Sequence, residues 1–472
     1  MKIALIEPLP PYDAYYFLRK FPLLSNLFLG TILKRAGHEV KVFKENIIPV
    51  YNRKNDELHP FIREADAVGF STITHTANRT YMVADAIKRQ FPGKKVIIGG
   101  NHASALPQEA LEHADQVVVG EGEYVVRDVF EKRNNDKIVY GPRVNINDVP
   151  PMDLTLLQGY KFKNGKINMR HAPLMASRGC PYDCIFCSVT RMFGGKYRIK
   201  DPDLIMEEVM IRYREGFRHG FFYDDNFAAN HRITKIFLEK LIRANLDFTW
   251  SSQFRVDVAK DKELVELLKR AKCSTLFIGV ESVNPKALLD YNKRQTVEDI
   301  KNCIKMLRDE GMDVHSMFIL GADSDDRETI DETIRFSKAS GSTTAQFSIL
   351  FPIPGTKLYE QLKEKNRIYI NDWNYYDGSH CVFLPKNITP YELQKKFIEG
   401  YRYFYNTTIL KWLASRVGFF MWKQVNKKYM KYIKYFTRKI EKEGVLVDGI
   451  LTLKGLISDA LPKSLSEAMA RK

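Results

Sequence analysis

Two kinds of segment are missing from this 472-residue sequence, and both absences bear on where the protein works. No uncharged run approaches the roughly 18 to 20 residues that a membrane-spanning helix needs. The N-terminus enters a strand pattern at Lys2–Ile6, without the apolar segment and small-residue cleavage site of a signal peptide. We therefore expect a cytoplasmic protein.

Cysteine is also scarce, with six residues in a chain that is 44% hydrophobic and long enough for two or three cored domains. A disulfide-stabilised scaffold is therefore excluded. Three of the cysteines are scattered, as ordinary core residues would be: Cys273, Cys303 and Cys381. The other three lie within eight residues: Cys180, Cys184 and Cys187. Such a cluster is typical of metal ligation in a reducing compartment.

The clustered cysteines belong to the stretch SRGCPYDCIFC, residues 177–187, which follows a short apolar run. Its Gly, Pro and Asp residues favour a turn that can bring the three thiolates onto one iron–sulfur cluster. A four-iron cluster normally takes four protein sulfurs, so three would leave one iron open for chemistry. The alternatives are a zinc knuckle and three buried apolar cysteines. Zinc would need a fourth ligand, and the nearest histidine, His171, precedes the loop.

The Cys-x3-Cys-x2-Cys spacing, with Phe186 before the last cysteine, resembles that of the radical S-adenosylmethionine (radical SAM) superfamily. The resemblance implies that Cys180, Cys184 and Cys187 hold a [4Fe–4S] cluster whose open iron binds the amino and carboxylate groups of SAM. An electron from the cluster would cleave SAM to a 5′-deoxyadenosyl radical. An external reductant such as ferredoxin or flavodoxin would supply that electron.

Residues 1–133 alternate β-branched runs with amphipathic stretches, which predicts an α/β fold with a Rossmann-like parallel sheet. The predicted strands are Lys2–Ile6, Glu39–Phe43, Ala67–Ser71, Lys95–Ile98 and Gln116–Val119. Ligands of such sheets bind at the carboxyl ends of the strands. The first loop there, Glu7–Leu24, contains no glycine, so it cannot form the tight pyrophosphate turn of a dinucleotide site.

Gly-Gly-Asn-His follows the fourth predicted strand and Gly-Glu-Gly-Glu the fifth, an arrangement similar to the cobalamin-binding domain of B12-dependent radical SAM enzymes. The Asp-x-His-x-x-Gly motif of other cobalamin domains is missing, so the resemblance implies a cobalt lower face without a histidine from the first loop. The glycines would let the backbone approach the corrin or its nucleotide tail. The expected contacts are Tyr12, Thr72, His75, Gly99, Gly100, Asn101, Gly120, Glu121 and Gly122. The alternative is a Rossmann-like domain without a ligand, with His75 and His102 as ordinary loop residues.

Residues 134–170 are polar and turn-rich, which is typical of a linker. From residue 171 to 385 six strand patterns alternate with helical ones, too few for a closed eightfold barrel. They match the partial (β/α)6 TIM barrel of the radical SAM core. The predicted strands are Leu174–Ser177, Gly220–Asp224, Phe248–Phe254, Thr275–Glu281, Val314–Leu320 and Ala345–Pro352. Chemistry belongs at the carboxyl ends of such strands, and the cysteine loop follows the first.

The resemblance implies SAM contacts at the later strand ends. Asp224 or Asp225 would bind the amino group, and Arg255 would pair with the carboxylate. Glu281 and Ser282 suit the ribose hydroxyls, and Gly321 would admit the flat adenine. The alternatives are a helix cap at Asp225 or Asn226 and a surface salt bridge from Arg255 to Asp257.

Residues 386–472 are predicted to form a helical C-terminal domain. It is basic, because residues 401–440 carry ten Lys or Arg and no Asp or Glu among many aromatic residues. This composition fits peripheral contact with anionic lipid or a lid for a lipid-like substrate. A helical cap on the barrel explains it equally well. Binding of single-stranded nucleic acid is disfavoured.

These features predict a radical SAM enzyme that methylates an unactivated carbon of a small-molecule or lipid-like substrate with the help of cobalamin. Cyclisation, ring contraction and carbon–carbon coupling are alternatives, as is a nucleic-acid-binding iron–sulfur protein. A tRNA-modifying methylthiotransferase is disfavoured, because its N-terminal domain should carry three further cluster cysteines and none precedes Cys180.

Overall fold

The structure, a computed structural model, describes residues 1–9, 22–160, 162–163, 166–167, 169 and 171–405. Its N-terminal part contains a six-stranded parallel sheet in the order β2-β1-β5-β6-β7-β8, and a small antiparallel pair, β3 with β4. The strands are β1 (Lys2–Glu7), β2 (Glu39–Lys44), β3 (Tyr51–Asn52), β4 (Glu57–Leu58), β5 (Ala67–Ser71), β6 (Lys95–Gly99), β7 (Gln116–Gly120) and β8 (Ile138–Gly141).

Helices connect these strands and cover the sheet, so the Rossmann-like α/β arrangement is confirmed. They are α1 (Leu24–Arg35), α2 (Pro60–Glu64), α3 (Ala77–Gln90), α4 (Asn101–Ala105), α5 (Pro107–Leu111) and α6 (Val126–Phe130). The five predicted strands are present. The sixth, β8, lies in the stretch that the sequence assigned to the linker, and it adds a parallel edge to the sheet.

The second sheet consists of six parallel strands in the order β11-β14-β15-β16-β17-β18, which confirms the partial (β/α)6 barrel. The strands of this part are β9 (Phe162–Lys163), β10 (Lys166–Ile167), β11 (Ala172–Leu174), β12 (Ser177–Arg178), β13 (Arg198–Ile199), β14 (His219–Phe222), β15 (Thr249–Phe254), β16 (Cys273–Glu281), β17 (Asp313–Leu320) and β18 (Thr344–Ile349). The first barrel strand is shorter than predicted, because Ser177 and Arg178 leave the sheet and pair instead with β13.

Helices alternate with the barrel strands and cover their outer face. They are α7 (Ser188–Phe193), α8 (Pro202–Arg214), α9 (His231–Ala244), α10 (Lys262–Arg270), α11 (Pro285–Asp290), α12 (Val297–Asp309), α13 (Arg327–Ala339), α14 (Lys357–Glu364) and α15 (Pro390–Tyr405). Side-chain caps start several of them, for example Thr296 with Asp299 at α12.

Alternation along the strands separates a core face from an inner face. In β15, Trp250 and Phe254 are buried against Phe227 and the helices, whereas Gln253 between them is only half-buried. The barrel therefore has a packed outside and an inner face that is partly accessible.

Helix α15 packs on β18, where Tyr401 donates a hydrogen bond to the Phe347 carbonyl oxygen at 3.0 Å. The helical prediction for residues 386–472 can be compared only as far as Tyr405, because residues 406–472 lie outside the described part. Within that part, no helix is both long and apolar enough to cross a bilayer.

Candidate active site

The cysteine loop lies across the carboxyl end of the barrel and begins at Gly179, which has a φ of +84°. A Cβ at this position would stand 2.4 Å from the carbonyl oxygen of Lys196, so the turn into the loop requires glycine. Cys184 is buried, whereas Cys180 and Cys187 are partly exposed. Burial raises the pKa of the Cys187 thiol to about 12, so a positive partner such as a metal is needed to keep it as a thiolate.

Two carboxylates after β14 hold the first turn of this loop. Asp224 accepts hydrogen bonds from the Ser177 hydroxyl and from the Ala176 amide, the latter at 3.1 Å. Asp225 accepts one from the Gly179 amide at 3.2 Å. Burial raises the pKa of Asp224 to about 7 and that of Asp225 to about 6. Both predicted SAM contacts thus support the cysteine loop in this structure.

Arg255, at the end of β15, contacts the loop directly. Its guanidinium carbon lies 3.6 Å from the centre of the Tyr182 ring, and Nη1 lies 3.9 Å from Cys184 Sγ. Its Nη2 donates to the Lys293 carbonyl oxygen. The alternative, a surface salt bridge with Asp257, corresponds to a long ion pair of 4.0 Å between Arg255 Nε and that carboxylate, but the arginine in it is buried. Asp257 instead accepts the Tyr182 hydroxyl hydrogen bond at 2.7 Å.

A buried ion pair lies beside this arginine. Lys293 Nζ is 2.5 Å from Glu281 Oε1, and a Cβ on Gly279 would stand 2.8 Å from the same Nζ. Glu281 has a φ of +62°, a conformation that a side chain rarely adopts, at a bulge between β16 and β17. Strained backbone of this kind often occurs at functional sites.

The remaining predicted SAM contacts have other neighbours. The Phe186 ring meets that of Tyr291 edge-on at 5.4 Å. The Ser282 hydroxyl accepts the Asn284 amide at 3.0 Å. Gly321 has a φ of +104°, and the place where its side chain would stand is filled by Leu393 of α15, at 2.7 Å from a Cβ. An adenine ring therefore finds no room on that side of Gly321.

Two buried hydrogen-bond donors at this mouth indicate that an anionic ligand fits. Among the described residues, Arg255 Nε and Asn226 Nδ2 are buried without a hydrogen-bond partner. Such groups are rare in native proteins, and a carboxylate such as that of SAM is a suitable acceptor for donors of this kind. Among the described residues, no three His, Cys, Asp or Glu side chains stand close enough to hold a single metal ion. A four-iron cluster is larger and is held by sulfurs that stand further apart.

The predicted cobalamin contacts gather at the carboxyl ends of β5, β6 and β7. Thr72 is fully buried, and its amide donates to the Gly99 carbonyl oxygen at 2.9 Å. Gly100 has a φ of +95°, and a Cβ there would stand 2.6 Å from the Thr72 amide nitrogen. Close packing of two loops therefore explains this glycine without a ligand. Asn101 is exposed at the start of α4.

His75 and His102 lie beneath a segment that follows the barrel. The Trp373 ring meets that of His102 edge-on at 5.0 Å, and its Nε1 donates to Glu109 Oε1 at 3.0 Å. Burial lowers the pKa of His75, which lies near Asp377. These side chains therefore bridge the two halves of the chain.

The first loop of the N-terminal sheet is anchored at both ends, although Tyr12 within it lies outside the described residues. Glu7 pairs with Lys44 and accepts the Leu23 amide at 2.7 Å. Glu45 accepts the Leu9 amide at 2.9 Å and pairs with Arg79 at 2.7 Å. The crevice predicted for cobalamin thus has fixed edges at this loop.

The loop after β7 turns toward the barrel. A Cβ on Gly120 would stand 3.0 Å from the Gly141 carbonyl oxygen, and one on Gly122 would stand 3.3 Å from Leu29. Glu121 was predicted to contact cobalamin, but its carboxylate is engaged by Arg178 and Arg198 of the barrel part. Although burial raises the pKa of Glu121, hydrogen bonds from Arg198, the Val144 amide and Arg178 outweigh this effect and lower it.

Sequence reasoning assigned no ligand-binding or positioning role to Tyr182, Lys293, Asn226, Arg178 and Arg198. Arg178 and Tyr182 stand within the cysteine stretch, and Asn226 follows the two carboxylates after β14, so these motifs were the available signal. Lys293 and Arg198 stand in no motif, and only the three-dimensional contacts reveal them.

Two family models match separate parts of the chain. Residues 24–130 match the B12 binding domain, and residues 174–337 match the radical SAM superfamily. The chain belongs to the radical SAM enzymes that carry a B12-binding domain. Its cofactors are a [4Fe–4S] cluster, SAM and cobalamin.

Three characterised relatives of this radical SAM enzyme match over most of their length. A bacteriochlorophyllide d C-8(2)-methyltransferase of Chlorobaculum tepidum is 27% identical over 90% of this chain and 97% of its own. A hopanoid C-3 methylase of Methylococcus capsulatus is 27% identical over 88% and 82%. An anaerobic magnesium-protoporphyrin IX monomethyl ester cyclase of Rubrivivax gelatinosus is 27% identical over 80% and 72%.

Two solved structures share the fold. The cobalamin-dependent SAM radical enzyme OxsB, with aqua-cobalamin bound, has a TM-score of 0.65 at 15% identity and covers 93% of this chain and 75% of its own. The radical SAM methyltransferase TsrM of Kitasatospora setae has a TM-score of 0.61 at 18% identity over 77% and 76%. This chain therefore shares its fold with OxsB and TsrM.

Proposed function

We propose that this radical SAM enzyme methylates an unactivated carbon in a cobalamin-dependent reaction. The observation that carries the proposal is the position of the cysteine loop. It lies at the mouth of the barrel and is joined by buried ion pairs to a loop of the B12-binding domain. Two relatives that match most of the chain are named as carbon methyltransferases, which supports this reaction.

We assign the cluster to Cys180, Cys184 and Cys187, and the SAM carboxylate to Arg255 Nε and Asn226 Nδ2, two of the buried donors without a hydrogen-bond partner among the described residues. When bound, the cluster would supply the electron for SAM cleavage, SAM would supply the hydrogen-abstracting radical, and cobalamin would supply the methyl group.

The carboxylates near the mouth have positioning roles in this proposal. Asp225 is held by the Gly179 amide but keeps a second oxygen for the SAM amino group. Glu281 and Ser282 are placed at the ribose side of the site. Thr72, His75, Gly99, Gly100, Asn101, Gly120 and Gly122 form the crevice for cobalamin.

We propose a hydrophobic, lipid-like or polycyclic substrate. Bacteriochlorophyllides and hopanoids appear in the names of the relatives, and both kinds of molecule are large and apolar. The inner face of the barrel presents half-buried apolar side chains, with Phe221 and Phe277 edge-on at 5.5 Å and Met317 and Ile319 beside them on β17. This surface suits an apolar ring system more than a highly charged substrate.

Cyclisation is the second candidate reaction, because one relative is named as a cyclase and aligns over 80% of this chain. Both reactions begin with abstraction of hydrogen from an unactivated carbon. They differ in whether the product gains a carbon atom from SAM.

Incubation with SAM labelled in its methyl group separates the two reactions. The reconstituted anaerobic enzyme is supplied with candidate tetrapyrrole or hopanoid substrates and a strong reductant. Label in the product supports methylation, whereas 5′-deoxyadenosine with an unlabelled product identifies a cyclase. Cys184→Ser, which should lose the cluster, is the control for both readouts.

The proposal also covers the compartment of the enzyme, its reductant and its contact with membranes. We place the enzyme in the cytoplasm, with ferredoxin or flavodoxin as external reductant. Residues 401–440 would contact anionic lipid, although all but the first five lie outside the described residues.

A further inference from the structure

Four ionised side chains meet at the seam between the B12-binding domain and the cysteine loop. Glu121 Oε1 accepts from Arg178 Nη1 at 2.9 Å and from Arg198 Nη2 at 2.9 Å. Its Oε2 accepts from Arg198 Nη1 at 2.8 Å and from the Val144 amide at 2.9 Å. Glu123 Oε1 accepts from Arg178 Nη2 at 2.5 Å. Two carboxylates thus face two guanidinium groups, and we call these four residues the seam cluster.

The seam cluster is shielded from solvent. The exposed fractions of its side chains are 5% for Glu121, 7% for Glu123, 9% for Arg178 and 16% for Arg198. Removing one member of a buried ion pair leaves its partner charged and unpaired, which is costly. Separating the two domains at this point therefore costs more free energy than breaking exposed ion pairs would.

Each half of the seam cluster is close in sequence to a different cofactor site. Glu121 directly follows Gly120, at the carboxyl end of β7 where the crevice of the B12-binding domain lies. Arg178 is followed by Gly179 and then Cys180, the first cysteine of the loop. Arg198 is on β13, which pairs with the strand that carries Arg178. A shift of the loop after β7 therefore moves the backbone that enters the cysteine loop.

We infer that the seam cluster couples the two cofactor sites, so that the B12-binding domain with cobalamin bound holds the cysteine loop in its cluster-binding conformation. Glu121, Glu123, Arg178 and Arg198 are positioning residues and touch neither cofactor. The inference rests on the cofactors and is independent of the reaction, methylation or cyclisation, that follows. Thermodynamic linkage requires the coupling to act in both directions.

The test measures both directions on the full chain under anaerobic conditions. The affinity for hydroxocobalamin is measured by absorbance with and without the reconstituted cluster. The release of iron to a colorimetric chelator is measured with and without hydroxocobalamin. For the unmodified protein we expect the cluster to raise cobalamin affinity about fivefold, at the lower end of allosteric couplings, and cobalamin to slow iron release.

Glu121→Gln keeps the shape of the side chain and removes its charge. In this variant the ratio of the cobalamin affinities measured with and without the cluster should be close to one. Glu123→Gln removes the charge from the acceptor of a single hydrogen bond, the one from Arg178 Nη2, and should lower the ratio in part, so it serves if the first variant does not fold. The matched control is Asp323→Asn, which breaks another two-pronged carboxylate–arginine pair, with Arg367 at 2.7 and 3.0 Å, within the barrel part. The control should retain the full ratio.

Two results would overturn the inference. One is an unmodified protein whose cobalamin affinity is the same with and without the cluster. The other is a full ratio in both Glu121→Gln and Glu123→Gln. A ratio reduced equally in Asp323→Asn would show that general loss of stability, and not the seam cluster, is responsible.

Discussion

The Arg255 side chain contacts an aromatic ring, donates one hydrogen bond and has a further N–H group without a hydrogen-bond partner among the described residues. A lysine at this position could reproduce only some of these interactions. The guanidinium carbon of Arg255 lies over the Tyr182 ring, Nη2 donates to the Lys293 carbonyl oxygen, and Nε lacks a hydrogen-bond partner among the described residues. Lysine carries a point charge without a planar, forked group. We expect Arg255→Lys to weaken equilibrium binding of SAM to the reconstituted enzyme about tenfold, the loss of one charge-assisted hydrogen bond.

The control for this prediction is Arg243→Lys, on the outer face of α9, where the arginine side chain is 77% exposed. SAM affinity should be unchanged in this variant. Equal affinities for the Arg243 and Arg255 variants would contradict the role assigned to Arg255. Iron content, measured on the same samples, separates loss of SAM binding from loss of the cluster.

Asp224 makes stability depend on pH. Burial raises its pKa to about 7 in the folded protein, whereas the unfolded chain has the ordinary value near 3.8. The folded state therefore holds a proton that the unfolded state has lost, so stability falls as the pH rises toward 7, by up to about 1.4 kcal/mol per pH unit. In urea unfolding of the cluster-free protein, Asp224→Asn should flatten this slope between pH 6 and 7, whereas Asp225, whose pKa burial raises to about 6, keeps a slope below pH 6. An unchanged slope between pH 6 and 7 in the variant would assign it to another group.

At the scale of the element, β8 ends in a very close contact. A Cβ on Gly141 would stand 1.8 Å from the carbonyl oxygen of Glu121, a backbone atom that cannot move away alone. We expect Gly141→Ala to detach the end of β8 and to lower the free energy of unfolding by about 2 kcal/mol or more. Urea unfolding measures this loss.

Gly93→Ala is the matched control, because nothing lies within 4 Å of a Cβ at Gly93. Its effect should stay within about 0.5 kcal/mol. Equal free energies of unfolding for the two alanine variants would contradict the close contact between Gly141 of β8 and the Glu121 carbonyl oxygen. A fall in iron content in Gly141→Ala alone would connect this strand to the cysteine loop.

Elements with a strong periodic pattern were predictable, whereas those set by their neighbours were not. The strand Ala67–Ser71 is apolar up to its last residue, is buried throughout and was predicted with its observed bounds. Strand β8 has four residues in a turn-rich stretch and exists because it pairs with β7. Ser177 directly follows the apolar run and was predicted as the end of the first barrel strand, but Ser177 and Arg178 pair with β13 outside the barrel sheet.

The same distinction holds in the site. The cysteines could be found from their spacing alone, because ligation requires those side chains close together in one loop. Glu121 was found as part of a motif, but its partner, Arg178, is 57 residues away. The sequence alone does not reveal that a carboxylate next to two glycines meets an arginine from another domain.

On the scale of the whole molecule, positive charge is concentrated near the C-terminus. The net charge is +16, and residues 401–440 contribute ten positive and no negative side chains. Each lysine near an anionic membrane contributes about 1 kcal/mol of binding free energy. Changing Lys427, Lys428 and Lys431 to Gln should therefore weaken co-sedimentation with phosphatidylserine vesicles at least tenfold in low salt.

Three exposed lysines on outer helices, Lys269, Lys301 and Lys305, provide the matched control for charge alone. Their change to Gln should leave vesicle binding close to that of the unmodified protein. Binding to single-stranded RNA, in preference to vesicles, would instead favour the nucleic-acid alternative. Equal loss in both triple variants would indicate an unspecific effect of net charge.

The segment around Trp373 affects how this protein can be divided. After the last barrel strand the chain returns to the first domain, where Asp372 accepts the Asn78 amide at 2.6 Å and Trp373 covers His102. A fragment that stops at the end of the first domain would leave this surface uncovered. The cobalamin-binding domain therefore cannot be exchanged between relatives on its own. A chimera with a relative's barrel should fold well only if residues 370–382 come from the same parent as the first domain.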